Sequence, residues 1–202
     1  MKGLLNLKRV MAMKGIIVQC LKETVLSKIG IKIWEKSLVE AGFKAGTIFS
    51  PASNIDDEVF KTLIRSLCKN LNTNCEKLTE EFGDHWVNDF SQKMYSHLYL
   101  KHKKAKDFLL DMDHIHVATT RNIENAHPPR FEYEWKDEYT LIMHYKSHRG
   151  LLNILIGLVK GVGKYYNEEL TVEQQGSDKI EITFKEKQNF NANDTAKISC
   201  VK

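Results

Sequence analysis

The sequence lacks a long hydrophobic run: its longest apolar stretch, Leu151 to Val159, is broken by Asn153 and Gly157. A membrane-spanning helix, which needs about 20 consecutive apolar residues, is therefore not expected. Charge of one sign is nowhere concentrated either. The 30 Lys and Arg and the 26 Asp and Glu leave a net charge of +4 and are interspersed, so no basic stripe faces a phosphate backbone and nucleic acid is disfavoured as a partner. Cys20, Cys68, Cys75 and Cys200 form no CxxC pair and read as reduced thiols of a cytoplasmic protein. Lys2, Lys8 and Arg9 flank only a short apolar stretch with no small-residue cleavage site behind it, which disfavours a signal peptide. Catalytic triad, phosphate loop and metal-hydrolase spacing are all missing, so the chain is not expected to be an enzyme.

What is present fits one domain, since 202 residues suit a single core. Met1-Lys2-Gly3 recurs as Met13-Lys14-Gly15. This marks residues 1–12 as an N-terminal extension and starts the domain at Met13, with coincidence in a Lys-rich start as the alternative. Apolar residues from Ile16 to Ile29 recur at helical spacing until Gly30, and helical patterns follow at Trp34–Ala41, Asp56–Leu71 and Cys75–Phe82. The Asn54-Ile55-Asp56-Asp57 entry suits a helix N-terminus, and Gly83 reads as a helix stop. Further helices are expected over Trp86–Leu100 and Lys104–Asn122, ending before His127-Pro128-Pro129. The period then changes to that of strands at Phe131–Trp135 and Tyr139–Arg149. An apolar helix follows over Gly150–Tyr166, then strands at Leu170–Gln174 and Lys179–Lys185 joined by a turn at Gln175–Asp178. Residues 188–202 are polar and patternless and read as a flexible tail. The fold class is α+β, a helical N-terminal half followed by a C-terminal antiparallel sheet with helices.

Two groups of residues carry chemistry. His116, one of eight histidines, shares a helical face with Phe108, Leu109, Met112 and Thr119, so it points into the core. His114 is rotated from it by roughly 200° and faces the other way. On that feature alone a hydrogen-bonded core histidine is the commoner meaning. The second group is Tyr145, Ser147 and Arg149, which a strand period of two places on one face, continuing Leu141 and Met143. Two hydroxyls beside a guanidinium fork make a receptor for carboxylates, and a solvated strand end is the plainer alternative. His127-Pro128-Pro129 is either a rigid support for a flat ligand or a simple connector.

Together these pieces resemble the heme nitric oxide/oxygen binding (H-NOX) family. The resemblance rests on the Met-Lys-Gly start, the Asp113-His114-Ile115-His116 helix, Pro128-Pro129-Arg130, and Tyr145-x-Ser147-x-Arg149 before an apolar Gly-containing helix. It covers Met13 to Lys187, taken as the heme-binding domain. The chain is also similar to the sensor region of the soluble guanylate cyclase beta subunit, most closely at Leu141–Tyr145 and Ile154–Lys160.

The resemblance implies a heme b enclosed between the two halves, with His116 as the axial iron ligand. Tyr145, Ser147 and Arg149 would hold the propionates, Pro129 would bear on the porphyrin plane, and Ile17 would press from the distal side. Leu21, Trp86, Val87, Met112, Ile154 and Leu158 complete the implied pocket. Some members hold zinc through cysteines near the C-terminal half; this chain has none between Cys75 and Cys200, so no such zinc is expected. Oxygen-binding members carry a tyrosine where Ile154 stands here, and bound oxygen profits from such a donor. Ile154 therefore implies a sensor of nitric oxide, also taking carbon monoxide, with Trp86 as the remaining candidate donor. Loss of the His116 bond on nitric oxide binding would free the His116 helix and bias a separate partner, a histidine kinase or a cyclic-di-GMP enzyme. With no output domain in the sequence, a free-standing bacterial sensor is expected. The rivals are a peroxidase-like enzyme, an oxygen or redox sensor using the same pocket, and a heme-free interaction domain.

Overall fold

The computed structural model describes residues 12–28, 30–123 and 127–185. The tail over 188–202 and, apart from Ala12, the extension over 1–12 lie outside the described residues.

The N-terminal half is helical. A short strand β1 (Ala12–Lys14) pairs antiparallel with β2 (Asn54–Asp56) and frames α1 (Gly15–Leu26) and α2 (Ile31–Glu40). Next comes α3 (Asp57–Asn70), whose start is set by Asp56: its carboxylate accepts the N–H groups of Glu58 and Val59 at 2.8 and 3.3 Å, satisfying donors that no helical carbonyl reaches. Asn74 caps α4 (Cys75–His85) in the same manner, through the Lys77 N–H at 2.7 Å. Leu21, Trp34, Leu38, Phe60, Leu63 and Leu67 are buried between these helices and drive their association through loss of apolar surface.

Two expectations fail in this half. Gly83 does not stop α4, which runs on to His85 and into a π-helical turn, Trp86–Phe90, before α5 (Gln92–Leu100). Gly83 is there for contact: a Cβ on it would lie 2.1 Å from the Gly157 carbonyl carbon and oxygen. The absent side chain lets two backbones touch, which outweighs the helix propensity lost. Cys68 and Cys75 are not free thiols but form a disulfide, with Cα atoms 5.4 Å apart.

The chain continues through α6 (Ala105–Leu110) and α7 (Met112–Thr120) to β3 (Arg130–Trp135), β4 (Thr140–Lys146), α8 (Leu152–Tyr165), β5 (Leu170–Gln175) and β6 (Lys179–Phe184). The expected helix over Lys104–Asn122 is broken at Asp111, where φ −87° and ψ −3° flatten the turn. That carboxylate faces His102 at 3.2 Å and His114 at 3.4 Å. The strands form a four-stranded antiparallel sheet in the order β3-β4-β6-β5. Leu141, Met143 and Tyr145 alternate onto its buried face with Ile180 and Ile182 of β6, as a half-buried strand requires. Among the described residues the fold is therefore α+β, helices first and sheet last, and no helix is long and apolar enough to cross a membrane.

The strand expected over Tyr139–Arg149 ends at Lys146. Ser147 and Arg149 thus lie beyond the pleat, and the shared strand face does not reach them. Gly150, with φ +63°, turns the chain away, and α8 begins only at Leu152. It is α8 that joins the halves: Gly157 and Gly161 let its backbone approach α4 at Thr79 and Gly83, and Lys160 pairs with Glu80.

Candidate functional site

Between the two cores lies a cavity of about 290 Å³ with largely apolar walls. Its floor and sides come from α1, α4, the π-helical turn, α5, α7 and α8. His116, Pro129, Tyr145 and Arg149 reach it, as do Ile17, Trp86, Val87, Met112, Ile154 and Leu158. Two expected residues do not line it. Leu21 is fully buried in the N-terminal core, and Ser147 stands behind the clamp, its hydroxyl oxygen accepting the Arg149 N–H at 3.3 Å.

His116 is placed by its helix. α7 is tied to the sheet through Asp113, whose carboxylate accepts from Arg130 Nε and Nη2 at 2.7 Å each and from the Phe131 N–H at 2.9 Å. Arg130 above all holds the Asp113 carboxyl at a pKa of about 2. One turn later the His116 ring packs against Phe131, centroids 5.3 Å apart. Its Nδ1 is buried with no hydrogen-bond partner. Burial lowers the imidazole pKa, against a weaker upward pull from the Pro129 carbonyl and Asp113. A neutral ring keeps a lone pair, which a metal ion can use. An orphaned polar atom in an apolar cavity is unfavourable by itself. Its presence fits a site whose partner comes from outside the chain.

The polar end of the cavity is built from Tyr145 and Arg149. Burial raises the Tyr145 pKa, so the hydroxyl stays a donor. The Arg149 guanidinium is buried and forks onto Asp57 of α3, with Nε to Oδ2 at 2.8 Å and Nη2 to Oδ1 at 2.6 Å. The fork thus holds an internal carboxylate. Asp57 was not foreseen: in sequence it reads as a helix-entry acid, and the partner that gives it meaning is far along the chain. Also unforeseen are Ser91, Tyr95 and Tyr99, which add hydroxyls to the cavity wall. Ser91 and Tyr99 are hydrogen-bonded to each other at 2.8 Å. Their only sequence signal was helical spacing from Trp86 onward.

An apolar slot with a lone-pair donor on its wall and a guanidinium at its rim suits a flat metal macrocycle bearing carboxylates. Residues 14–174 match the family model described as haem-NO-binding. The chain belongs to the haem-NO-binding family. Such H-NOX domains are sensor domains rather than catalysts, related to soluble guanylate cyclases, and the family binds heme. The chain is 25% identical over 169 residues to soluble guanylate cyclase gcy-34 of Caenorhabditis elegans and 25% identical over 168 residues to gcy-35 of the same organism. Each match covers 81% of this chain but only 25% and 24% of the two cyclases, so the chain spans about a quarter of these curated relatives.

Solved H-NOX structures overlay on it over most of its length. A Cs H-NOX mutant carrying 4-cyano-L-phenylalanine superimposes with a TM-score of 0.75 at 26% identity, covering 86% of this chain and 97% of that one. An oxygen-binding H-NOX domain related to soluble guanylate cyclases, in its oxygen complex, gives 0.69 at 26% identity, covering 86% and 96%. For an H-NOX chain the residues described above fit heme: a buried imidazole whose Nδ1 makes no hydrogen bond, apolar walls, and Tyr145 and Arg149 at the polar end suit a ligated macrocycle with carboxylates. Among the described residues no cluster of His, Cys, Asp and Glu could hold another metal ion.

Proposed function

We propose that this H-NOX chain is a cytoplasmic sensor of nitric oxide, also binding carbon monoxide, built on heme b held by the domain over residues 13–187. His116 would be the axial iron ligand, Tyr145 and Arg149 would hold the carboxylates, and Pro129 would support the ring. Ferrous heme, when bound, supplies an axial position that takes a diatomic gas. The reading is carried by His116, an imidazole buried on the wall of an apolar cavity with an Nδ1 that makes no hydrogen bond. Ile154 and Leu158 add no polar group to the wall, which suits nitric oxide because it binds tightly without a donor.

The residues also suggest the output. His116 would link the heme to α7, which the Asp113–Arg130 fork ties to the sheet, whereas Arg149 would link it to α3 through Asp57. A gas that weakened the His116 link would let the two sides shift and bias a separate partner, a histidine kinase or a cyclic-di-GMP enzyme. Oxygen sensing is a second reading, favoured by the Ser91–Tyr99 pair. Burial pushes the Tyr99 pKa up to about 12, and the mutual bond consumes one O–H of two, leaving a donor inside the cavity.

Absorption spectra of the ferrous protein separate the readings. Without gas and under oxygen the spectrum should be the same, and nitric oxide should shift it to that of a heme without its histidine. A stable oxygen complex that is lost in Tyr99→Phe would replace the nitric oxide reading with the oxygen one.

A further inference from the structure

The Cys68–Cys75 bond joins the last turn of α3 to the first residue of α4, two helices that other contacts also hold in place. Each helix has its own cap, Asp56 and Asn74. Each has its own buried face, Phe60, Leu63 and Leu67 on α3 and Leu78 and Phe82 on α4. The bond can open without unfolding either element. The two sulfurs also sit differently. Cys68 is buried, whereas Cys75 is half-buried at the start of an 11-residue helix, where the N-terminal N–H groups favour a thiolate. The remaining described cysteine does not compete: Cys20 is buried, and burial pushes its thiol pKa up.

We propose that Cys68 and Cys75 form a reversible thiol–disulfide site, with Cys75 as the attacking sulfur and Cys68 as the resolving one. The co-reactant is a small disulfide of the glutathione class. The Cys75 thiolate attacks one sulfur of the oxidised co-reactant, forming a mixed disulfide and releasing one thiolate. Cys68 then loses its proton and attacks the Cys75 sulfur, releasing the second. Two protein thiols are oxidised by two electrons, one external disulfide is reduced to two thiols, and the protons of the protein thiols pass to the released thiolates. The bond links the helix whose start grips Arg149 to the helix that carries Phe82 into the cavity wall. Oxidation therefore stiffens two supports of the same site. The assignment stands apart from the gas reading, because it depends on neither heme nor ligand.

The test uses the full chain with Cys200→Ser, so that only Cys20, Cys68 and Cys75 remain. Folded protein is equilibrated over a series of glutathione to glutathione disulfide ratios, quenched, denatured with maleimide and weighed intact. Across the series the protein should pass from three maleimides to one, and the reduced form should melt roughly 5–10 °C lower, as expected for releasing a short loop. Uptake of three at every ratio, or of one even under excess dithiothreitol on the folded protein, overturns the proposal. Single variants assign the roles. Cys68→Ser should accumulate a glutathione adduct on Cys75, whereas Cys75→Ser should leave Cys68 unmodified, and the reverse pattern overturns the assignment.

Discussion

A single methyl group at Gly157 should drive α8 off α4. A Cβ there would lie 2.0 Å from the Thr79 carbonyl oxygen and 2.6 Å from its carbon. Carbon in ordinary contact needs well over 3 Å, so the helices must separate by roughly an ångström or more. The obstacle is backbone, which cannot rotate aside as a side chain can. Separation also loosens the contacts at Gly83 and Gly161, whose own missing Cβ atoms face the same seam. Overpacking of this kind costs about 3 kcal/mol or more, and the better helix propensity of alanine offsets about 1 kcal/mol of it. A net loss of about 2–3 kcal/mol lowers the melting midpoint by roughly 5–10 °C in a domain of this size. Gly163→Ala is the control: its Cβ would meet the Leu170 side chain at 2.7 Å and the Glu168 carbonyl oxygen only at 3.0 Å, a wider approach to backbone than the 2.0 Å at Gly157, so its cost should be smaller. Circular dichroism melts of both variants decide. A Gly157→Ala midpoint equal to that of the parent, or above that of Gly163→Ala, would refute the close-packing argument.

Further predictions concern the polar anchors. Asp57→Ala removes the carboxylate from the buried Arg149 guanidinium, and losing one partner of a buried ion pair costs about 3–5 kcal/mol; urea unfolding should show it, and Asp57→Asn should cost less. Asp113 carries a sign that can be checked. Its folded pKa of about 2 lies below the unfolded carboxylate value of about 4. Its contribution is therefore complete above that value and is lost as pH falls from about 4 to about 2. Unfolding free energies measured across that window should fall more steeply for the parent than for Asp113→Asn, which is already less stable at neutral pH.

Local periodicity makes much of this molecule legible in its sequence. The face shared by His116, Phe108, Leu109 and Met112 is visible as helical spacing, whereas the break at Asp111, whose carboxylate faces His102 and His114, is not. The Leu141-Met143-Tyr145 face followed from a period of two, but the end of β4 at Lys146 and the positive φ of Gly150 depend on how the chain must turn to reach α8. Gly83 shows the limit most clearly. In isolation a glycine in a helical pattern reads as a stop, and only its contact with Gly157 reveals a place where two backbones meet. The Arg149–Asp57 pair is hidden for the same reason, because proximity in space is a property of the packed fold, and the seven-residue step from Cys68 to Cys75 does not by itself bring two sulfurs together.

The most direct test of the account is replacement of His116 by glycine, followed by heme binding with and without added imidazole. If His116 holds the iron, the variant should bind heme weakly and with an altered spectrum, and free imidazole entering the vacated space should restore the parent spectrum. Heme bound by His116→Gly with unchanged affinity and spectrum would contradict the assignment, and with it the proposal that the His116 helix reports the gas.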